Sequence, residues 1–161
     1  MVDAAAILDL CRKQHWKIVT AESCTGGLIA ARLTDIPGSS DVLDSGIVTY
    51  SYESKAELLG VSSVTLGQHG AVSGEVVGEM ARGALLRRPE AALSIAVSGV
   101  AGPGASESKP EGLVWFALAL RGKKPTVVKK EFGALGRAAV REKSVDFALR
   151  LIELAAKSHQ P

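Results

Sequence analysis

Ala21-Glu22-Ser23-Cys24-Thr25-Gly26-Gly27 follows a β-branched run, Ile18-Val19-Thr20, and leads into a segment to Leu33 in which the spacing of Leu28, Ile29 and Arg32 suits a helix with one wet face. A strand that turns directly into a helix is the unit of an α/β protein. The same turn holds a small hydroxyl side chain at the rim of a sheet, beside helix N–H groups that have no intrahelical partner, so an anion forming there is stabilised. Ser23 therefore reads either as a nucleophile or as the N-cap of the following helix. Cys24 is a competing nucleophile, because a thiol at a helix N-terminus has a lowered pKa. Successive side chains of an extended segment point to opposite sides, so only one of the pair can face a cleft; the residues alone do not choose between them.

Upstream, Asp3 is placed to cap a helix whose apolar positions Ala4, Ile7, Leu8 and Cys11 recur at helical spacing, ending near His15. Downstream, Pro37-Gly38-Ser39-Ser40 stops the second helix, and residues 42 to 50 read as a strand in which Gly46 marks a bulge or a close backbone approach. Ser54 and Glu57 offer a capping box for a short helix ending at Gly60, with Lys55 in its first turn, where the helix field disfavours a cation. Ser73 caps a helix carrying Val76, Val77, Met80, Ala81, Ala84 and Leu85. Residues 92 to 98 form a continuous apolar run, the mark of a strand covered on both faces, and it empties into Gly99-Val100-Ala101-Gly102-Pro103-Gly104. Residues 113–120 and 126–132 flank Gly122-Lys123-Lys124-Pro125 as an antiparallel hairpin, and a last helix runs from about Arg137 to Ala156. Interleaved helices and strands with a late hairpin predict a three-layer α/β/α sandwich with a mixed sheet, one domain over residues 1–161.

Bulk properties exclude several classes. With 161 residues, 47% apolar and 22% charged, the chain suits one soluble globular domain, and its net charge of +2 is spread without the basic stripe that nucleic acid requires. No apolar run approaches the ~20 residues of a membrane span and no secretory pattern opens the sequence, so a cytoplasmic protein without membrane or nucleic-acid partners is expected. Two cysteines, Cys11 and Cys24, form neither a metal-ligand spacing nor a disulfide framework, and no metal or cofactor is expected. The histidines, His15, His69 and His159, lie outside any polar cluster resembling a Ser-His-Asp arrangement. If Ser23 is a nucleophile, Lys55 is the best-placed base, provided desolvation lowers its pKa of about 10.4. The two glycine-bearing loops after strands, at 23–27 and 98–104, lack the spacing of a dinucleotide fingerprint or a phosphate loop.

Taken together, Ala-Glu-Ser-Cys-Thr-Gly-Gly at 21–27, Pro-Gly-Ser-Ser at 37–40, Tyr50-Ser51 with Lys55, Leu-Leu-Gly-Val at 58–61, Gly-Ala-Val-Ser at 70–73 and Gly-Val-Ala-Gly-Pro-Gly at 99–104 with Lys109-Pro110 and Gly112 resemble the CinA C-terminal domain family, in its stand-alone form. That family includes nicotinamide-nucleotide amidohydrolases. The resemblance implies hydrolysis of the carboxamide of nicotinamide mononucleotide to the acid and ammonia, in pyridine-nucleotide recycling, by a serine and lysine pair. It puts the nucleophile on Ser23, the general base on Lys55 and a hydroxyl partner on Tyr50. Substrate contacts are expected from Glu22, Thr25, Gly26, Gly27, Ser98, Gly99 and Gly102, with Arg137 or Arg141 on the phosphate and the amides near 25–27 receiving the oxyanion. Glu22 has two open roles, orienting Lys55 or anchoring the turn. Departures from the family pattern are Tyr52 in place of the usual Asn, Ala-Ser-Glu-Ser after Gly104 in place of more glycine, and Glu111 at a small apolar position. These leave open a nucleotide-binding or interaction module without turnover; a thiol amidase using Cys24 is a separate alternative. A homo-oligomer is expected from the apolar hairpin strand.

Overall fold

The structure, a computed structural model, describes residues 1–159. Helix α1 (Ala4–Lys13) is capped by Asp3, whose carboxylate accepts from the amides of Ala5 and Ala6. Then come β1 (Ile18–Glu22), α2 (Leu28–Thr34), β2 (Leu43–Val48), α3 (Tyr52–Leu59), α4 (Ser63–His69), α5 (Gly74–Arg87), β3 (Leu93–Gly99), β4 (Leu113–Leu120), β5 (Thr126–Glu131) and α6 (Arg137–Ser158). The five strands form one sheet in the order β2-β1-β3-β4-β5. β1 runs parallel to both β2 and β3, while β4 and β5 are antiparallel. This is the expected mixed-sheet sandwich, with α1, α2 and α6 on one face and α3, α4 and α5 on the other.

The two faces are built from different residues. Toward α1, α2 and α6 the strands present Ile18, Leu93, Ile95, Val97, Val114, Phe116 and Leu118; toward α5 they present mainly Ala21, Ala96, Ala117 and Ala119. Small side chains let α5 lie close to the sheet, and Gly83 of α5 brings α3 close in turn: a Cβ there would sit 1.8 Å from the Leu59 carbonyl oxygen. α5 thereby fixes the C-terminal end of the helix that carries Lys55.

Several boundaries differ from the expectations for physical reasons. α2 begins at Leu28 rather than Thr25, because Gly26 and Gly27 take positive φ (61° and 100°) and spend three residues on reversing the chain. Its cap is neither Ser23 nor any adjacent side chain. Glu22, at the end of β1 and fully buried, reaches across the turn, and its carboxylate accepts from the amides of Gly27 (3.2 Å), Ile29 (2.9 Å) and Ala30 (3.0 Å). Those are donors that a helix start leaves without partners, and the negative charge also suits the helix field there. The hydroxyls of Thr25 (2.7 Å) and Thr20 (3.0 Å) donate to the same carboxylate. At α3 the capping box is Ser51 with Ser54, not Ser54 with Glu57, so Lys55 lies in the fourth helical position rather than the first. Gly46 marks a close approach, but of a side chain: a Cβ on it would meet Ala30 Cβ at 2.8 Å. Helix α4 lies where the residues gave no periodic signal.

Glu22→Ala should strand several buried donors at once and cost on the order of 3–5 kcal/mol of stability, read from urea unfolding. A loss below about 1 kcal/mol is incompatible with this capping role.

Candidate active site

In an open α/β sheet the crevice lies beyond the carboxyl ends of strands where the chain order reverses. Here β1 is that point: the chain leaves it for β2 on one side, and β3 later inserts on the other. The ends of the three parallel strands are tied together, since the Ser23 amide donates to the Val97 carbonyl (3.0 Å) and the Thr49 amide to the Glu22 carbonyl (2.9 Å). A cleft of about 230 Å³ opens above them. Its walls include Ser23, Cys24, Tyr50, Ser98, the whole Gly99–Gly104 loop, Glu107 and Arg137.

Behind Ser23 lies Lys55, which has no exposed surface. Its Nζ donates to Ser23 Oγ (2.9 Å), to the Thr49 carbonyl (2.7 Å) and to the Tyr50 carbonyl (3.3 Å). Burial pushes its pKa down to about 8, with the Cys24 and Glu107 side chains pulling weakly the other way. The geometry serves both protonation states. As an ammonium, Lys55 has three acceptors for three hydrogens; as an amine, it can keep two hydrogens on the carbonyls and turn its lone pair to the serine hydroxyl. The neutral amine is then a base within reach of the Ser23 proton.

Cys24 is placed differently. Its side chain packs into the core formed with α1, α2 and α6, and burial raises its pKa to about 11, so the thiol is protonated at neutral pH. Of the two adjacent side chains, the hydroxyl is the one beside a base.

The remaining expected contacts fall into two groups. Ser98, Gly99, Gly102, Tyr50 and Arg137 stand on the cleft. Arg137 spans its rim, donating to Tyr50 Oη (2.6 Å) and to the Gly102 carbonyl (2.8 Å). Glu22, Thr25, Gly26, Gly27 and Arg141 stand outside the cleft lining. Glu22 makes no hydrogen bond to Lys55; its oxygens are committed to α2 and to two threonines. Arg141 donates to the carbonyls of Cys24 (3.1 Å) and Thr25 (3.3 Å), which braces the turn from behind. The amides expected to receive an oxyanion are also partly committed: Gly26 donates to the Ser23 carbonyl (3.0 Å) and Gly27 to Glu22. The amides of Cys24 and Thr25 donate to no carbonyl among the described residues.

Two site features had only an indirect signal in the residues. Glu107 comes to the cleft wall and accepts from Tyr52 Oη, so two positions that looked like isolated departures from a family pattern are in contact. Glu111, the third departure, accepts from the amides of Gly104 (2.9 Å) and Gly136 (2.9 Å), fastening the glycine loop to the start of α6.

Comparison with known proteins agrees with this architecture. Residues 3–155 match the CinA C-terminal domain. The protein named nicotinamide-nucleotide amidohydrolase PncC of Enterobacter agglomerans is 50% identical over 140 residues, which cover 86% of this chain and 84% of that protein. The protein of the same name from Escherichia coli strain K12 is 49% identical over 137 residues, 84% of this chain and 81% of that one. Among solved structures, the competence/damage inducible protein CihA from Agrobacterium tumefaciens has a TM-score of 0.89 at 42% identity, covering 96% of this chain and 93% of that one. The chain belongs to the CinA C-terminal domain family.

Proposed function

We propose that this chain hydrolyses the carboxamide of nicotinamide mononucleotide to the carboxylate and ammonia by covalent serine catalysis. The observation that carries the reading is the fully buried Lys55 amine 2.9 Å from Ser23 Oγ, with its pKa lowered to about 8. Support also comes from the name of the two relatives described above, each matched over more than four-fifths of its length.

Ser23 Oγ attacks the amide carbon while Lys55 takes the hydroxyl proton. The negative charge that develops on the amide oxygen falls to the amide of Cys24, on the cleft wall, and to that of Thr25 next to it, neither of which donates to a carbonyl among the described residues. Lys55, now an ammonium, returns the proton to the amide nitrogen, the C–N bond breaks, and ammonia leaves an acyl ester on Ser23. Water then attacks the ester with Lys55 again as base, releasing the acid and restoring the serine. Tyr50 takes part as the residue whose carbonyl holds the amine and whose hydroxyl meets Arg137. The planar guanidinium of Arg137, exposed on the rim, binds the 5′-phosphate in the bidentate way that suits an arginine. Arg141 holds the turn. The reaction returns nicotinamide nucleotide to the pyridine-nucleotide pool in its acid form.

Wild-type protein should release ammonia from nicotinamide mononucleotide, and Ser23→Ala should lower the rate about a thousandfold or more. No release by the wild type, or undiminished release by the variant, defeats the proposal.

The pH dependence has a definite sign. Because the neutral amine is the base, kcat/KM should rise with pH through about 8 and level off above it. Lys55→Arg, which cannot shed its proton in this range, should remove both the activity and the inflection. Normal turnover in that variant assigns the base elsewhere.

Arg137→Ala should raise KM for the mononucleotide about tenfold and leave the phosphate-free riboside unaffected. Equal losses for both compounds would instead make Arg137 a brace for Tyr50 and the glycine loop.

A further inference from the structure

One wall of the cleft is a tight reversal in which Ser106 and Lys109 exchange backbone hydrogen bonds (Ser106 amide to Lys109 carbonyl 3.0 Å, Lys109 amide to Ser106 carbonyl 2.8 Å). Its two central residues, Glu107 and Ser108, both sit at positive φ, 52° and 61°. A two-residue turn of this kind favours Asn and Gly, and residues with larger side chains adopt it only where their surroundings hold them.

The surroundings here grip Glu107 itself. One carboxylate oxygen accepts from Tyr52 Oη and from the Ala71 amide (3.3 Å); the other accepts from the Val72 amide (3.3 Å). Lys109 Nζ lies 3.7 Å from the second oxygen but donates to the His69 (2.6 Å) and Val72 carbonyls, and it is not part of the cleft lining. Burial works to raise the pKa of Glu107, and the Tyr52 hydroxyl, the two amides and Lys109 outweigh it, so the group is an anion at neutral pH. The grip also ties the cleft wall to α3, because Tyr52 is one helical turn before Lys55. A strained turn held by so many partners fixes a carboxylate on the wall of a cavity, with about a quarter of its side chain still exposed. Arg137 supplies a fixed cation on the same cavity.

We infer that Glu107 is a specificity-determining residue of this cleft, whose pinned carboxylate selects a ligand with a positively charged ring next to its carboxamide, while Arg137 takes that ligand's anionic end. The inference rests on the proposed reading of the site, and it adds a reason for the preference. An N-ribosylated pyridine carries a formal positive charge, whereas its dihydro form has the same carboxamide, ribose and phosphate on a neutral ring. A fixed anion separates the two, and neutral aromatic amides of similar shape gain nothing from it.

The test uses Ser23→Ala protein, which cannot form the acyl ester, and titrates it by calorimetry with nicotinamide mononucleotide and with dihydronicotinamide mononucleotide. The cationic form should bind about five- to tenfold more tightly, the size expected of one partly exposed charge pair. Adding Glu107→Gln should bring the ratio close to one by weakening only the cationic ligand. Tyr52→Phe, which keeps the charge and loosens its hold, should preserve a preference for the cation. A ratio near one before Glu107 is touched overturns the inference whether or not the second variant folds. So does an equal loss for both ligands in Glu107→Gln, the result expected of a purely structural turn. Failure of the reaction itself appears separately, as absence of ammonia release by the wild type while the binding preference persists.

Discussion

The capping of α2 from a distance is the constraint on which the cleft depends. A helix start needs acceptors for its first amides, and Ser23, in the turn that precedes it, is the usual kind of side chain to supply one. Glu22 does so instead, from the last position of β1, with one carboxylate serving three amides and two threonine hydroxyls. Ser23 is thereby released from local duty and turns toward Lys55. Arg141 completes the support by holding the carbonyls that the reversed turn exposes on its other side. The residues around the serine are therefore mostly concerned with where the serine points.

Much of the layer architecture was legible in the sequence. The β-branched run before Ala21, the wholly apolar run at 92–98 and the Asp3 and Ser73 caps are local signals, and the structure places elements where they fall. What was not legible depends on contacts between distant parts of the chain. Ser23 reads as the cap until the fold shows that Glu22 is the side chain that reaches the helix start. Ser54 looked like a cap because Glu57 follows at the right interval, yet Ser51 and Ser54 satisfy each other with the cap three residues earlier. Helix α4 has one buried apolar position, Leu66, and so carries almost no periodicity to read.

The same division runs through the candidate site. That Lys55 sits in a place unfavourable to a cation was visible from the helix pattern, but not that its Nζ would meet Ser23 and two carbonyls at the end of β2. Arg137 and Arg141 are one helical turn apart on α6 and indistinguishable by spacing. The fold separates them, one on the cleft rim and the other behind the turn. Tyr52 and Glu107 lie 55 residues apart, and nothing local to either announces the contact between them.

Burying Lys55 also leaves a mark on the thermodynamics of the whole chain. In the unfolded protein this amine keeps the ordinary lysine value of 10.5, and in the folded protein about 8. Between those limits the unfolded chain holds a proton that the folded one has released, so the contribution of this group to stability rises with pH across the interval. Below about 8 both states are protonated and the folded state bears the full cost of enclosing a charge. Around neutrality the protein thus holds its base in the form that folding least favours, and the proton loss that readies Lys55 as a base also stabilises the fold around it.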